Sequence, residues 1–189
     1  MQVLLKTRKA RIHPDIESAL YSAGQIAART NALARRINKD YEGRDLVIVG
    51  VLKGSFMFLG DLLRRLTVPV EVDFLSLSSY IGERSTEMVR LNFDVRLDLK
   101  DRDVLLIDDI VDTGFSLAFA RKHILSKEPQ DVEVCVLLDK PERRKVLVPV
   151  RYTGFVVPDR FVVGYGLDYN ERYRELPYIG ILKSRRLEP

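Results

Sequence analysis

The sequence predicts an α/β fold: a central parallel sheet flanked by helices, with a small hood formed by terminal segments. Three observations carry this. The short run 46–51 is β-branched and apolar on both faces, as a strand buried inside a parallel sheet would be, and further short strand-like runs stand at 104–107 and 132–138. Segments with helical spacing alternate with them. No repeat, low-complexity tract or Pro/Gly/Ser linker divides the 189 residues, so 1–189 reads as a single domain, its hood built from the N-terminal segment and about 152–189.

Taken in order, Ile16, Ala19, Leu20, Ala23, Ile26, Ala27, Leu33, Ala34 and Ile37 recur at helical spacing, and Pro14 suits the first turn of such a helix. After the turn Glu42-Gly43-Arg44 come the first strand, a helix over 56–66 and a second strand over 68–79. Residues 81–90 are polar, mixed in charge and aperiodic, which predicts a long mobile loop. A third strand over 104–107, a helix over 116–126 and a fourth strand over 132–138 follow, and the aromatic, proline-rich tail from Tyr152 forms the hood.

Composition narrows the function. Thirty-one Lys and Arg against 27 Asp and Glu leave a net charge of +4, suited to anionic small molecules at least as well as to nucleic acid. One cysteine, Cys135, makes no internal disulfide, and the expected compartment is the cytoplasm. With only His13 and His123 beside it, a Cys/His zinc site lacks ligands, so a metal would be held by oxygens. No apolar run reaches the ~20 residues that span a bilayer, and no secretory h-region is present, so no membrane partner is expected.

The most informative stretch is Val104-Leu105-Leu106-Ile107-Asp108-Asp109-Ile110-Val111-Asp112-Thr113-Gly114-Phe115-Ser116. A buried strand running into three carboxylates is costly unless cationic or hydroxylated groups gather there. Thr113, Gly114 and Ser116 follow at a helix start, where backbone N–H groups, hydroxyls and the helix dipole favour a phosphate. Acids beside a phosphate cradle suit a sugar phosphate. The bland reading, a solvated acidic turn capping a helix, fits Asp112 alone better than it fits the whole string.

This string resembles the phosphoribosyl diphosphate (PRPP) signature of the type I phosphoribosyltransferases. Val51-Leu52-Lys53-Gly54-Ser55, Ser78-Ser79-Tyr80 and Pro158-Asp159-Arg160-Phe161-Val162-Val163-Gly164-Tyr165-Gly166-Leu167-Asp168-Tyr169-Asn170-Glu171 extend the likeness to the hypoxanthine-guanine phosphoribosyltransferase family. The resemblance implies transfer of a 5-phosphoribosyl group from PRPP to N9 of a 6-oxopurine, giving IMP or GMP and pyrophosphate, with Mg2+ as cofactor and a homodimer or homotetramer as the assembly. It implies that Asp108 and Asp109 take the ribose hydroxyls and, with Asp168, the metal. Asp112 is the implied general base, and Thr113, Gly114, Phe115 and Ser116 hold the 5-phosphate. Lys53, Gly54, Ser79, Tyr80 and Arg174 face pyrophosphate, with a commonly cis peptide between Leu52 and Lys53. Ile110, Lys140, Phe161, Val162 and Asp168 surround the purine, Lys140 reading O6. Ser79 and Tyr80 begin the mobile loop that closes over the site. The chain departs from the family at Asp108, often Glu; at Phe115, often basic or polar; and at Ser55, often glycine.

Two other readings compete. Gly114-Phe115-Ser116-Leu117-Ala118 nearly spells a nucleophile elbow, but His123, seven residues on, cannot complete a triad in the usual order. A PRPP-sensing RNA-binding regulator is permitted by the basic clusters Arg143-Arg144-Lys145 and 183–186, although charge runs are usually solvated and no aromatic-basic RNA module is evident. No nucleic-acid partner is therefore expected.

Overall fold

The computed structural model describes residues 12–81 and 87–186. Its elements run β1 (Ile16–Tyr21), α1 (Ala23–Asp40), β2 (Leu46–Leu52), α2 (Phe56–Leu63), β3 (Val70–Ile81), β4 (Glu87–Phe93), β5 (Asp103–Val111), α3 (Phe115–Leu125), β6 (Asp131–Asp139), β7 (Tyr152–Val156), β8 (Val162–Val163) and β9 (Ile179–Leu182). Six strands form one sheet in the order β4-β3-β2-β5-β6-β7, and β1-β9-β8 form a separate small sheet. Every pairing in the large sheet is parallel except that of β4 with β3.

Alternation along the strands sorts the core into two layers. Leu46 and Ile48 of β2, Leu105 and Ile107 of β5 and Cys135 and Leu137 of β6 pack with Ile26, Leu33 and Ile37 of α1 and Phe58, Leu59 and Leu62 of α2. Val47, Val49, Val104, Leu106, Val134 and Val136 face the other way, onto Leu117, Ala120 and Ile124 of α3. Cys135 is fully buried packing, and burial pushes its thiol up. Among the described residues no helix is long and apolar enough to cross a membrane.

Several expectations require correction. Ile16, Ala19 and Leu20 lie in β1, not in the N-terminal helix, and β1 pairs antiparallel with β9. The helix begins only after Ser22, whose side chain caps Gln25 N–H while the Gln25 side chain returns to the Ser22 backbone, a capping box. The strand partner lies more than 150 residues away, where local periodicity has no view of it. The described ends of the loop expected over 81–90 are strand: β3 extends through Ser79 and Tyr80 to Ile81, and β4 returns from Glu87 with Ser79 opposite Val89. Residues 82–86 of that loop lie outside the described residues. Tyr152–Val156, expected in the hood, is the edge strand of the large sheet beside β6. The hood strands are β1, β8 and β9, with a core of Ile16, Val163, Tyr173, Tyr178 and Leu182; residues 1–11 and 187–189 of the expected hood are outside the described residues.

The topology also locates the site. The chain leaves β2 through α2 to β3 on one side, then crosses back so that β5 pairs on the other side of β2. The carboxyl ends of β2 and β5 thus flank the switch point, where open α/β sheets leave a crevice.

Candidate active site

At that crevice β2 ends in Leu52-Lys53-Gly54, with a cis peptide between Leu52 and Lys53, and β5 ends in its acids. A Cβ on Gly54 would overlap the Asp109 carboxylate, and one on Gly166 would overlap the Gly54 carbonyl. Asp109, the Gly54 loop and the hood turn at Gly166 therefore stack without room for a side chain between them. Gly166 also takes φ +100°, which glycine adopts at little cost. Ser55 is buried and its hydroxyl donates to the Val51 carbonyl, tying the loop to the strand that precedes it.

Asp108 and Asp109 sit where β5 departs from strict alternation, since Ile107 and Ile110 pack on the α1–α2 side and Leu106 and Val111 on the α3 side. Asp109 lines the cleft wall and abuts Gly54, whereas Asp108 is buried. Asp108 Oδ1 accepts the Asp109 N–H at 2.9 Å, and Asp109 Oδ1 accepts the Ile110 N–H at 2.9 Å. Burial and repulsion from Asp109 push the Asp108 carboxyl well above the usual range. Burial also raises Asp109, with the nearby Arg174 guanidinium acting against it.

The turn after β5 is built around glycine. Gly114 takes φ +91° at the cap of α3, and a Cβ there would run into the Val146 carbonyl. The Thr113 carbonyl accepts from Lys145 N–H at 2.9 Å and Val146 N–H at 3.0 Å, which closes the 140–146 loop over the turn. Gly114 has no side chain with which to cap α3, and the helix's first N–H groups have no intrahelical acceptor. Phe115 and Ser116 occupy that first turn.

A cleft of about 530 Å³ opens beside the turn and is lined by Asp109, Ile110, Asp112, Lys140, Phe161, Val162 and Asp168, all expected at the site. Lys140 is only 5% exposed, and burial pulls its ammonium pKa down. Its nitrogen lies 3.9 Å from Asp112 Oδ2. Phe161 stays 40% exposed and meets Tyr169 edge-on at 5.4 Å, while Val162 is buried in β8. Asp168 Oδ1 pairs with Arg174 Nη2 at 2.9 Å, and its Oδ2 accepts the Glu171 N–H at 2.9 Å. Asp108, Lys53, Gly54 and Arg174 stand outside this wall; Gly54 abuts Asp109, and Arg174 reaches Asp168 and the Gly166 carbonyl.

Arg143, Asp159, Arg160 and Leu167 also line the cleft and were missed by sequence reasoning. Arg143 sits in a charge run read as solvated, yet its Nε lies 2.8 Å from Asp112 Oδ1 and its Nη1 3.4 Å from Asp159. Arg144 pairs with Asp139 and donates to the Asp112 carbonyl. In the second basic cluster Lys183 donates to the Pro14 carbonyl and Arg186 pairs with Asp15 at 2.7 Å. Four of these cations are thus spent on acceptors within the chain instead of forming an open basic face. His123 contacts Asp94 at 2.8 Å on the α3 surface, far in role from a triad.

Strand-end acids, a glycine-closed turn and a helix start meet at one crevice of an α/β sheet, and the phosphoribosyl transferase domain family matches residues 17–170. The chain belongs to that family and is a phosphoribosyltransferase. Its relatives there are hypoxanthine phosphoribosyltransferases. That of Salmonella typhimurium is 48% identical over 159 residues, covering 82% of this chain and 89% of the relative. The crystal structure of the Staphylococcus aureus hypoxanthine phosphoribosyltransferase superposes with a TM-score of 0.88 at 41% identity, covering 93% of this chain and 96% of the other. A hypoxanthine-guanine phosphoribosyltransferase from Bacillus anthracis matches at 0.83 and 41%, over 89% and 99% of the two chains.

Proposed function

We propose that this chain salvages purines by transferring the 5-phosphoribosyl group of PRPP to N9 of hypoxanthine or guanine, forming IMP or GMP and releasing pyrophosphate. The observation that carries the reading is the joint cleft. It gathers a buried lysine, an exposed aromatic face and Asp112 against the strand-end acid Asp109, beside the N-terminal turn of α3. Phe161 offers a face for the base to stack on, and Val162 offers backbone polar groups to its edge. The Lys140 ammonium donates to a keto O6 but cannot accept from the amino group of adenine, so adenine would leave buried polar groups unpaired.

Cleavage at the anomeric carbon builds positive charge on the ribose and negative charge on the departing pyrophosphate, which makes preorganised charge the main catalytic resource. Asp109 faces the ribose side. Asp112 takes the proton from purine N7 as N9 bonds to the sugar, and the start of α3 holds the 5-phosphate. Lys53, the Gly54 backbone and Arg174 meet pyrophosphate from the opposite side.

Magnesium fits the donor set. The donors are hard carboxylate oxygens, and burial disfavours the ionised Asp108–Asp109 pair unless a cation is near. Among the described residues no three His, Cys, Asp or Glu side chains gather as a ready-made metal cage. Mg2+ commonly needs only one or two carboxylates together with phosphates and water. Asp109 and Asp168 would hold it, and it would supply neutralising charge to pyrophosphate.

The test is incubation with PRPP, magnesium and each purine in turn, following nucleotide formation by absorbance. Hypoxanthine and guanine are expected to react and adenine not. Asp112→Asn, which keeps shape but removes the basic site, is expected to lower kcat by about 10²–10⁴-fold. Consumption of no 6-oxopurine, or an Asp112→Asn variant as active as the parent, overturns the reading.

A further inference from the structure

The two side-chain cations proposed above for pyrophosphate are both held by one carboxylate that no part of that mechanism uses. Glu171 Oε1 lies 3.2 Å from Lys53 Nζ, and Glu171 Oε2 lies 3.2 Å from Arg174 Nη2. Each oxygen thus takes one cation, the bridging pattern a phosphoryl group would adopt. Glu171 is presented by a turn in which Asn170 and Glu171 take φ +52° and +60°, a left-handed conformation uncommon for residues with a side chain. The Arg174 Nε–H beside it is buried without an acceptor among the described residues.

We infer that Glu171 is an internal competitor for pyrophosphate: in the free enzyme it occupies the anion site formed by Lys53 and Arg174, and it must swing out when the diphosphate enters. Charge supports this. Two cations, Lys53 and Arg174, face two carboxylates, Asp168 and Glu171, so the cluster is neutral until Glu171 leaves. Exposure supports it too: Lys53 and Glu171 side chains are 65% and 64% exposed, and ion pairs in such settings are weak enough for a polyanion to displace. Asp168, more buried and bonded to the Glu171 N–H through its other oxygen, stays with Arg174. The same exchange favours product departure, because Glu171 returns to the cations as pyrophosphate leaves.

The inference rests on the proposed pyrophosphate site and is tested with inorganic pyrophosphate and MgCl2 titrated calorimetrically into the full chain. Glu171→Gln keeps shape, and the backbone N–H bond to Asp168 remains. It is expected to bind pyrophosphate about 3- to 10-fold tighter than the parent, the worth of two exposed ion pairs. Its KM for pyrophosphate in the reverse reaction should fall in step. Glu171→Asp, too short to span both cations, should lie between the two. If Glu171 merely braced Lys53 and Arg174, Glu171→Gln would bind more weakly, and equal or weaker binding overturns the inference while leaving the site assignment intact. Failure of the parent itself to bind pyrophosphate would overturn both.

Discussion

The carboxylates at the end of β5 and those on the hood turn carry the same charge but sit in opposite settings. Asp108 is sealed in the sheet, and the remedies within reach are a backbone N–H and a rise in proton affinity. Glu171 stands in solvent between two cations that hold its carboxyl below the usual range. In the interior an acid costs stability and is kept in place by the sheet around it; at the surface an ion pair is worth little and can be exchanged for a ligand. The site uses the first as a fixed frame and the second as a replaceable part.

The largest break in this comparison should come from disturbing the frame sterically. Gly54→Ala would place a methyl group against the Asp109 carboxylate, displacing either the β2 loop or the acid by about 1 Å. A loss of roughly 10²-fold in kcat/KM is expected, since misplacement on that scale removes productive alignment. Steady-state kinetics on a variant of unchanged far-UV spectrum checks it, and activity within twofold of the parent would contradict the tight stack.

Next in size is Asp108→Asn. The folded pKa of Asp108 lies above its unfolded value, so folding favours the protonated acid. Its stability contribution is full below about pH 4 and is lost as pH rises through the folded value. The amide keeps the acceptor for the Asp109 N–H and removes the ionisation. Without metal, Tm near pH 7.5 should rise by roughly 2–8 °C, for about 1–3 kcal/mol, with a smaller gain near pH 4. A lower Tm for the variant at pH 7.5 would reverse the assigned sign.

The smallest effect sharpens the contrast. The same acid-to-amide change at Glu171 should leave stability nearly unchanged, because both of its ion pairs reach solvent. A thermal scan of Glu171→Gln beside Asp108→Asn measures the difference directly. A Tm loss as large as that of a core substitution would show the hood turn to be structural.

Much of this was readable from the chain. The run that became β2 is apolar on both faces because both faces are covered, and the string from Asp108 to Ser116 announced acids beside a helix start. Other features were not readable, for definite reasons. β1 carries residues that fit a helical stripe as well as an edge strand, and only pairing with β9 decides between them. Asp108 and Asp109 were expected to act together at the end of a strand ending at Ile107. The strand runs on to Val111, and only folding shows Asp109 in the cleft wall beside Gly54 with Asp108 sealed in the sheet. Arg143 looked like part of a solvated charge run, and Glu171 carried no assigned role, until folding set them against Asp112 and against Lys53 with Arg174.

The sequence alone determined the layered α/β class, the strand ends at which acids and glycines meet, and the residue types available for phosphate and purine. Those depend on short-range pattern: alternation, helical period, and the backbone freedom of glycine at the turns. Tertiary structure alone decided the hood sheet, the face each acid occupies and the pairing of every charge in the site. Such outcomes depend on contacts between segments far apart in the chain, and a side chain carries no record of the partner that folding brings to it.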